Sequence, residues 1–419
     1  MRGKLARSSL QTSALLAARV TTQGFVLVLL ARLLEPAAYG SFAAASSLAV
    51  VLGILPNLGA GFVMLARGAQ SETAAGEVWR YAWPTTLAIG LLLLLTYLYA
   101  SNHVLHSTMP LSVLIAIGAT ELLLTPFAMI SSFALQTRDM VPLSQFVQWL
   151  PLGLRVFAVI PSFAFDSTHR LVGYATLQAI ASLIGTWIGL WITGQRVALD
   201  WRPRLASTRE LRNGASYAAM QLIAANPSEL DKIVAVRAVG PYGAGIYAAT
   251  TRIMSAAVTP VTALLLAALP RLFRHAHKPS TDGHDLIGLI AKIAFAWGCV
   301  SGLFLALISH ALPKLLGNAY VPAAALMPWL AAVAPMLALR LSAGSVLIAY
   351  GKPLERAAFE LCGTFLLVGC MLFLAPRYGL NGLAVALLAA ETAMTVVGWT
   401  LVRRRLSLHS QVISENGSA

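Results

Sequence analysis

The sequence is short of charge, and of negative charge above all: charged residues fill 11% of its 419 positions, with 16 Asp and Glu against 30 Lys and Arg. So few charges beside 58% hydrophobic residues cannot clothe a water-soluble surface, which excludes a soluble globular domain and puts the chain in a membrane. Cysteine is scarce too. Cys299, Cys362 and Cys370 all lie inside apolar runs, where a thiol behaves as a small hydrophobe, so neither a disulfide framework nor a zinc site can be built. There is no Walker loop of the form GxxxxGK[ST], no HExxH, no CxxC pair and no hydrophilic loop long enough for a soluble catalytic domain, which argues against ATP hydrolysis within the chain. The net charge of +14 does not mark a nucleic-acid binder, because the cations punctuate apolar runs instead of gathering on one polar face.

What the chain does have is one stretch written twice. Residues 31–45 read ARLLEPAAYGSFAAA and residues 236–250 read VRAVGPYGAGIYAAT. A slide of about 205 positions lays Arg32 on Arg237, Pro36 on Pro241, Gly40 on Gly245, Phe42 on Tyr247, and Ala43 and Ala44 on Ala248 and Ala249. Each copy follows one apolar run and opens another, as the Pro/Gly turn of a helical hairpin at a membrane surface does. Two related halves are expected.

Apolar runs of roughly 20 residues, the length that crosses a bilayer as a helix, are centred near residues 21, 53, 90, 124, 154, 182, 225, 256, 297, 335, 365 and 390. The predicted fold is all-α and polytopic: twelve transmembrane helices in two parallel six-helix lobes around a central cavity. The first lobe is 1–195, a basic cytoplasmic linker is 196–212, the second lobe is 213–402, and 403–419 is a cytoplasmic tail. The start, MRGKLARSSLQTSALLAARV, has the basic opening of a signal peptide, but Arg19 interrupts its apolar part, so it reads as a retained first helix.

Orientation follows from the excess of Lys and Arg in short cytoplasmic loops. With the N-terminus inside, Arg2, Lys4, Arg7, Arg67, Arg80, Arg138, the linker residues Arg196, Arg202, Arg204, Arg209 and Arg212, and then Arg271, Arg274, Lys278, Lys352, Arg356 and Arg403 to Arg405 are all cytoplasmic. Only Arg32, Arg170, Arg237, Lys314 and Arg377 lie opposite. Both termini are then inside, and a six-helix half repeats in the same orientation.

Six cations remain within spans: Arg19, Arg155, Lys232, Arg252, Lys292 and Arg340. Each costs roughly 2.5–3.5 kcal/mol near a helix centre, so the deep ones are expected to face a wet interior and bind an anion. Thr12, Arg19 and Gln23 fall within about 40° on a helical wheel, and Asn213, Tyr217 and Gln221 make a looser stripe over about 80°. Lys292 can alternatively snorkel to the interface, and Lys232 can be neutralised by Asp231. The intramembrane acids are Glu121, Glu229, Asp231, Glu360 and Glu391. They can pair with the arginines, or Glu121, Asp231 and Glu391 can couple protons or sodium. Pro56, Pro260 and Asn226-Pro227 mark helices able to bend, for a cavity or merely for packing.

RLLEPAAYGSFAAA after the first helix, LDKIVAVRAVGPYGAGIYAATTRI with LPRLF behind it, IAYGKPLERA, and PRYGLNGLAVALLAAE leading into the last span together resemble oligosaccharide flippases of the Wzx type. These belong with the multidrug and toxin extrusion (MATE) proteins to the multidrug/oligosaccharidyl-lipid/polysaccharide (MOP) exporter superfamily. The resemblance implies a transporter and not an enzyme. Its cargo would be a polyprenyl-diphosphate-linked oligosaccharide, moved across the bacterial inner membrane for O-antigen, capsule or exopolysaccharide assembly beside a polymerase and chain-length machinery. It implies no cofactor and no nucleic-acid partner. Arg19, Arg252 and Arg340 match the basic cavity of such proteins, Arg155 more loosely, and Lys292 joins them as a candidate. A MATE-like drug/cation antiporter of the same fold is the alternative, and it would want an acidic cavity.

Overall fold

The computed structural model describes residues 2–68, 73–103, 109–224, 229–277 and 281–416. Those residues are helical almost throughout and contain no strand. The chain divides into two compact units, residues 1–229 and 230–419. The first holds α1 (Arg2–Leu33), α2 (Pro36–Leu52), α3 (Ala60–Gly68), α4 (Ala74–His103), α5 (Leu111–Gly118), α6 (Thr125–Gln136), α7 (Val141–Ser162), α8 (Arg170–Arg196) and α9 (Thr208–Ala224). The second holds α10 (Leu230–His277), α11 (Thr281–Ile308), the short α12 (Leu312–Leu316), α13 (Val321–Ala349) and α14 (Pro353–Asn416).

Among the described residues, eight helical stretches are long and apolar enough to cross a membrane. The twelve-span reading holds once local breaks are placed. Gly240, at φ 75°, divides α10, and Gly379, at φ 59°, divides α14. α2 and α3 form one interrupted span within the first unit. Leu92 and Leu95 of α4, Leu183 and Trp187 of α8, and Phe365 and Phe373 of α14 remain exposed, which are the apolar faces a lipid environment covers.

The repeated stretch breaks one helix and opens another in both units. Glu35 is extended and Pro36 begins α2, its missing N–H costing nothing in a first turn. In the second copy Gly240 makes the break and Pro241 follows it. Apart from Pro36, which is buried, and Pro241, which is exposed, the matched positions bury alike: Gly40, Phe42, Ala43 and Ala44 are buried, as are Gly245, Tyr247, Ala248 and Ala249, while Arg32 and Arg237 are exposed. The repeat therefore encodes a packing face as well as a turn.

Pro56 behaves as a breaker. Helix stops at Leu52 and resumes at Ala60, with Leu58 at φ 38° and Gly59 at φ 66°. The freed backbone groups find local partners, Leu55 N donating to Leu52 O at 3.1 Å, Leu58 N to Leu55 O at 2.9 Å and Ala60 N to Asn57 O at 2.8 Å, while the Asn57 side chain donates from Nδ2 to Pro126 O at 3.2 Å and accepts from Thr86 Oγ1 at 3.2 Å. Such repair is what allows irregular backbone inside a span. Opposite it, α5 and α6 are joined by a π-helical turn, Ala119–Leu124. A Cβ on Gly53 would stand 2.6 Å from Glu121 O, so the end of α2 touches that turn backbone to backbone. Pro260, by contrast, is accommodated within the continuous second part of α10. Asn226-Pro227 lies outside the described residues.

The division between the two compact units falls at 229/230, with α9 in the first unit. The reason is local packing. Tyr217 of α9 stacks on Phe62 of α3 at 5.6 Å and 17°, Gly59 and Gly214 cross without side chains, and Glu210 pairs with Arg67 at 3.3 Å. The basic segment before α9 is likewise a strap docked on the first unit. Val197 is in the core cluster around Trp79, Arg204 N donates to Arg80 O at 3.0 Å, and the Arg204 guanidinium lies over the Tyr81 ring. Ser207 and Glu210 then cap α9 reciprocally: Ser207 N donates to Glu210 Oε2 at 3.0 Å and Glu210 N donates to Ser207 Oγ at 3.3 Å, a capping box that stabilises a helix start by about 1 kcal/mol.

Candidate functional site

The polar groups inside the spans form separate clusters within each unit. In the first, Arg155 of α7 reaches Glu121 with Nη2 to Oε1 at 3.0 Å and donates from Nε to Ser182 Oγ on α8 at 3.0 Å. Thr125 Oγ1 donates to the other oxygen of Glu121 at 3.2 Å. The π turn carries Glu121, and its extra residue per turn re-aims side chains relative to a regular helix, a feature frequent at functional sites. Glu229, at the end of this unit, accepts from Ser47 Oγ at 2.6 Å.

The second unit holds a larger cluster. Arg340 of α13 donates from Nε to Glu391 Oε2 at 2.6 Å and lies 3.5 Å from Glu360, which also accepts from Arg356 Nε at 3.0 Å. Two guanidinium groups and two carboxylates balance, so the burial of Arg340, only 2% exposed, is offset by ion pairing and hydrogen bonding instead of by water. Nearer the other end of the unit, Tyr247 donates to Asp231 Oδ2 at 3.0 Å across the Gly240 break, and Lys232 Nζ stands 3.7 Å from Asp231 Oδ1.

The candidate cations thus separate into two kinds. Arg340, expected to face a wet chamber, is enclosed between Glu391 and Glu360. Arg155 is held by Glu121, again at low exposure. Arg252 is half-buried on α10. Arg19 on α1 and Lys292 on α11 are exposed and make no ion pair among the described residues. Of the helical stripes, Gln23 is exposed and Thr12 half-buried, while of Asn213, Tyr217 and Gln221 only the Tyr217 side chain is described, half-buried against Phe62. Sequence reasoning missed Ser182 and Tyr247 as cluster members. Arg356 was legible at a spacing of four from Glu360 on one helix face. No group of three or more His, Cys, Asp or Glu able to hold a metal occurs among the described residues.

Residues 29–278 match the family model described as polysaccharide biosynthesis protein, more than half of the chain. The chain belongs to the polysaccharide biosynthesis protein family. No curated protein matches this family member in sequence. In structure it is similar to the inward-facing form of a multidrug-resistance MATE family transporter of the MOP superfamily, with TM-score 0.81 at 15% identity over 94% of this chain and 96% of that one. The outward-facing form of such a MATE transporter gives 0.65 at 16% identity over 96% of each chain. A MOP superfamily transporter from Pyrococcus furiosus, whose reversed pocket polarity is taken to suggest a different function, gives 0.66 at 16% identity over 97% of this chain and 96% of that one. At these identities the likeness is one of fold, and the polysaccharide biosynthesis protein has the fold of a MOP transporter.

Proposed function

We propose that this polysaccharide biosynthesis protein is a flippase that moves a polyprenyl-diphosphate-linked oligosaccharide across the bacterial inner membrane by alternating access, making and breaking no bond. The family supplies the pathway, and the MOP fold supplies the transport architecture. The observation that carries the cargo class is the distribution of charge inside the spans. Glu121, Glu360 and Glu391 are each engaged by arginine, whereas Arg19 and Lys292 are exposed with no carboxylate beside them among the described residues. A surplus of available positive charge suits a diphosphate, which guanidinium groups bind with paired hydrogen bonds.

The second reading, a MATE-like drug/cation antiporter, rests on the fold alone and calls for the opposite sign. In the Pyrococcus furiosus neighbour, too, the polarity of the pocket is what bears on function. Both termini inside, and a polymerase and chain-length machinery as partners, belong to the flippase reading.

A strain lacking the gene provides the test. Lipid extracts analysed by mass spectrometry are expected to contain an accumulated polyprenyl-diphosphate oligosaccharide, with surface polysaccharide lost and both restored by the intact gene. Unchanged surface polysaccharide together with altered drug susceptibility would transfer the chain to the antiporter reading.

A further inference from the structure

A cavity of about 320 Å³ opens in the first unit where α4 begins, beneath the strap that follows α8. Thr73, Glu77, Arg80, Arg138 and Asp200 line it. Among the described residues, two cations and two carboxylates therefore share one small space, which presents both signs. Arg80 Nε, shielded from solvent, stands 3.5 Å from Asp200 Oδ2 yet has no hydrogen bond among the described residues. Asp200 Oδ1 accepts from Arg202 N at 3.0 Å, and Oδ2 faces Arg80 across the 3.5 Å gap.

The backbone adds to the positive side. Glu77 N bonds back to Thr73 O at 3.2 Å, so the amides of Ala74, Ala75 and Gly76 precede the first intrahelical bond of a 30-residue helix, the end that favours an anion. A Cβ on Gly76 would meet Ala198 O at 2.8 Å, so the strap crosses directly over this turn. On the strap, Trp201 packs edge-on against Trp79 at 5.2 Å while staying 50% exposed, and Leu205 is 92% exposed. Half-covered tryptophan beside arginine is the chemistry of a membrane–water interface.

We propose that this cavity seats the zwitterionic headgroup of a phosphoethanolamine lipid from the adjoining leaflet. The phosphate would lie on Arg80, Arg138 and the first amides of α4, and the ammonium on Glu77 and Asp200. The pairing of signs selects the ligand. A phosphate with no attached cation would leave two carboxylates facing it, and a bare cation would meet two guanidinium groups. A choline headgroup carries the same charges but no N–H, whereas a primary ammonium brings three donors to the carboxylates. The site is apart from the transport reading and does not depend on it.

The test uses the full-length protein, stripped of lipid in detergent and titrated with short-chain phosphatidylethanolamine, phosphatidylcholine and phosphatidylglycerol, and with free phosphoethanolamine. Native mass spectrometry reads the bound lipid and thermal unfolding reads the affinity. Phosphatidylethanolamine is expected to give a saturable single-lipid adduct, about tenfold tighter than the other two lipids and the free headgroup, a difference of roughly 1.4 kcal/mol. Glu77→Gln, at an exposed position that leaves the fold intact, is expected to erase the preference over phosphatidylcholine, and Arg80→Gln to weaken all three lipids. Equal binding of the ethanolamine and choline lipids, preference for phosphatidylglycerol, or free headgroup binding as tightly as lipid would each overturn the proposal. If Arg80→Gln does not fold, the wild-type preference and Glu77→Gln decide it alone.

Discussion

Arg340 and Glu391 meet at 2.6 Å inside the second unit, one on α13 and the other on α14, both nearly inaccessible. A pair so enclosed matters less for the energy it contributes than for what its loss exposes. Removing one partner leaves uncompensated charge in a low-dielectric interior, a loss of about 3–5 kcal/mol. Arg340→Ala, which strands Glu391 and leaves Glu360 with Arg356 alone, is expected to lower the unfolding midpoint in detergent sharply or to abolish monodisperse protein. Arg340→Met combined with Glu391→Leu, leaving Glu360 to Arg356, is expected to recover most of that loss. A single variant as stable as wild type would show that the pair is open to water.

Arg19 and Lys292 call for the opposite behaviour. Neither has an ion-pair partner among the described residues, so truncation strands nothing, and surface changes of this kind move stability by about 0.5 kcal/mol or less. If they contact the diphosphate, each charge-assisted contact contributes roughly 1.5–3 kcal/mol, so Arg19→Ala and Lys292→Ala are expected to weaken cargo binding by tenfold or more. Surface polysaccharide measured at matched protein levels checks this. Loss of the protein itself on Arg19→Ala would mark a structural role.

The sequence displayed its turns and spans more openly than its pairings. Pro36 and Pro241 both start helices, and the buried positions after them repeat, because a Pro/Gly turn and a small-residue face act locally. Pro56 and Pro260 both mark helices able to bend but act differently: at Pro56 the chain adds Leu58 and Gly59 at positive φ and crosses Gly214, while Pro260 has no such neighbours and its helix runs on. Which acid takes which arginine was not legible, since Arg340 and Glu391 lie far apart in the chain and only the packing of α13 on α14 brings them together. The attachment of α9 was not legible for a similar reason. A break in charge density marked the linker, but Tyr217 and Gly214 hold α9 to the first unit.

Gly59 makes that attachment testable. At φ 66° it occupies the left-handed region, and a Cβ there would stand 2.6 Å from Tyr217 Cβ and would also strike Gly214 O. Backbone strain of about 1–2 kcal/mol then adds to a clash that requires α9 to move. Gly59→Val is expected to unfold at markedly lower temperature than wild type and to make Arg209, which follows the strap, more accessible to trypsin. Gly194→Ala, where nothing lies within 4 Å, serves as the control and is expected to be neutral. Equal proteolysis of the two variants would mean that the Gly59–Gly214 crossing does not hold α9.

Glu210 ties the strap down in a way that depends on pH. Burial alone would raise its carboxyl, but hydrogen bonds from Arg204 and Ser207 and the nearby Arg204 charge outweigh it, holding the group at about 2 against an ordinary 4.5. A carboxyl depressed in the folded protein binds fewer protons there than in the unfolded chain, so its stabilisation is complete above 4.5 and is lost as pH falls toward 2. Arg67 and Arg204 are substantially exposed, which moderates the effect through solvent screening. Unfolding midpoints measured in detergent from neutral pH downward are expected to fall in that window for wild type and to fall less for Glu210→Gln, which starts lower because it loses both ion pairs. Added salt is expected to narrow the difference. If wild type and Glu210→Gln follow parallel curves through the window, the carboxylate is not what fastens the strap, and the capping hydrogen bonds of Ser207 alone must hold it.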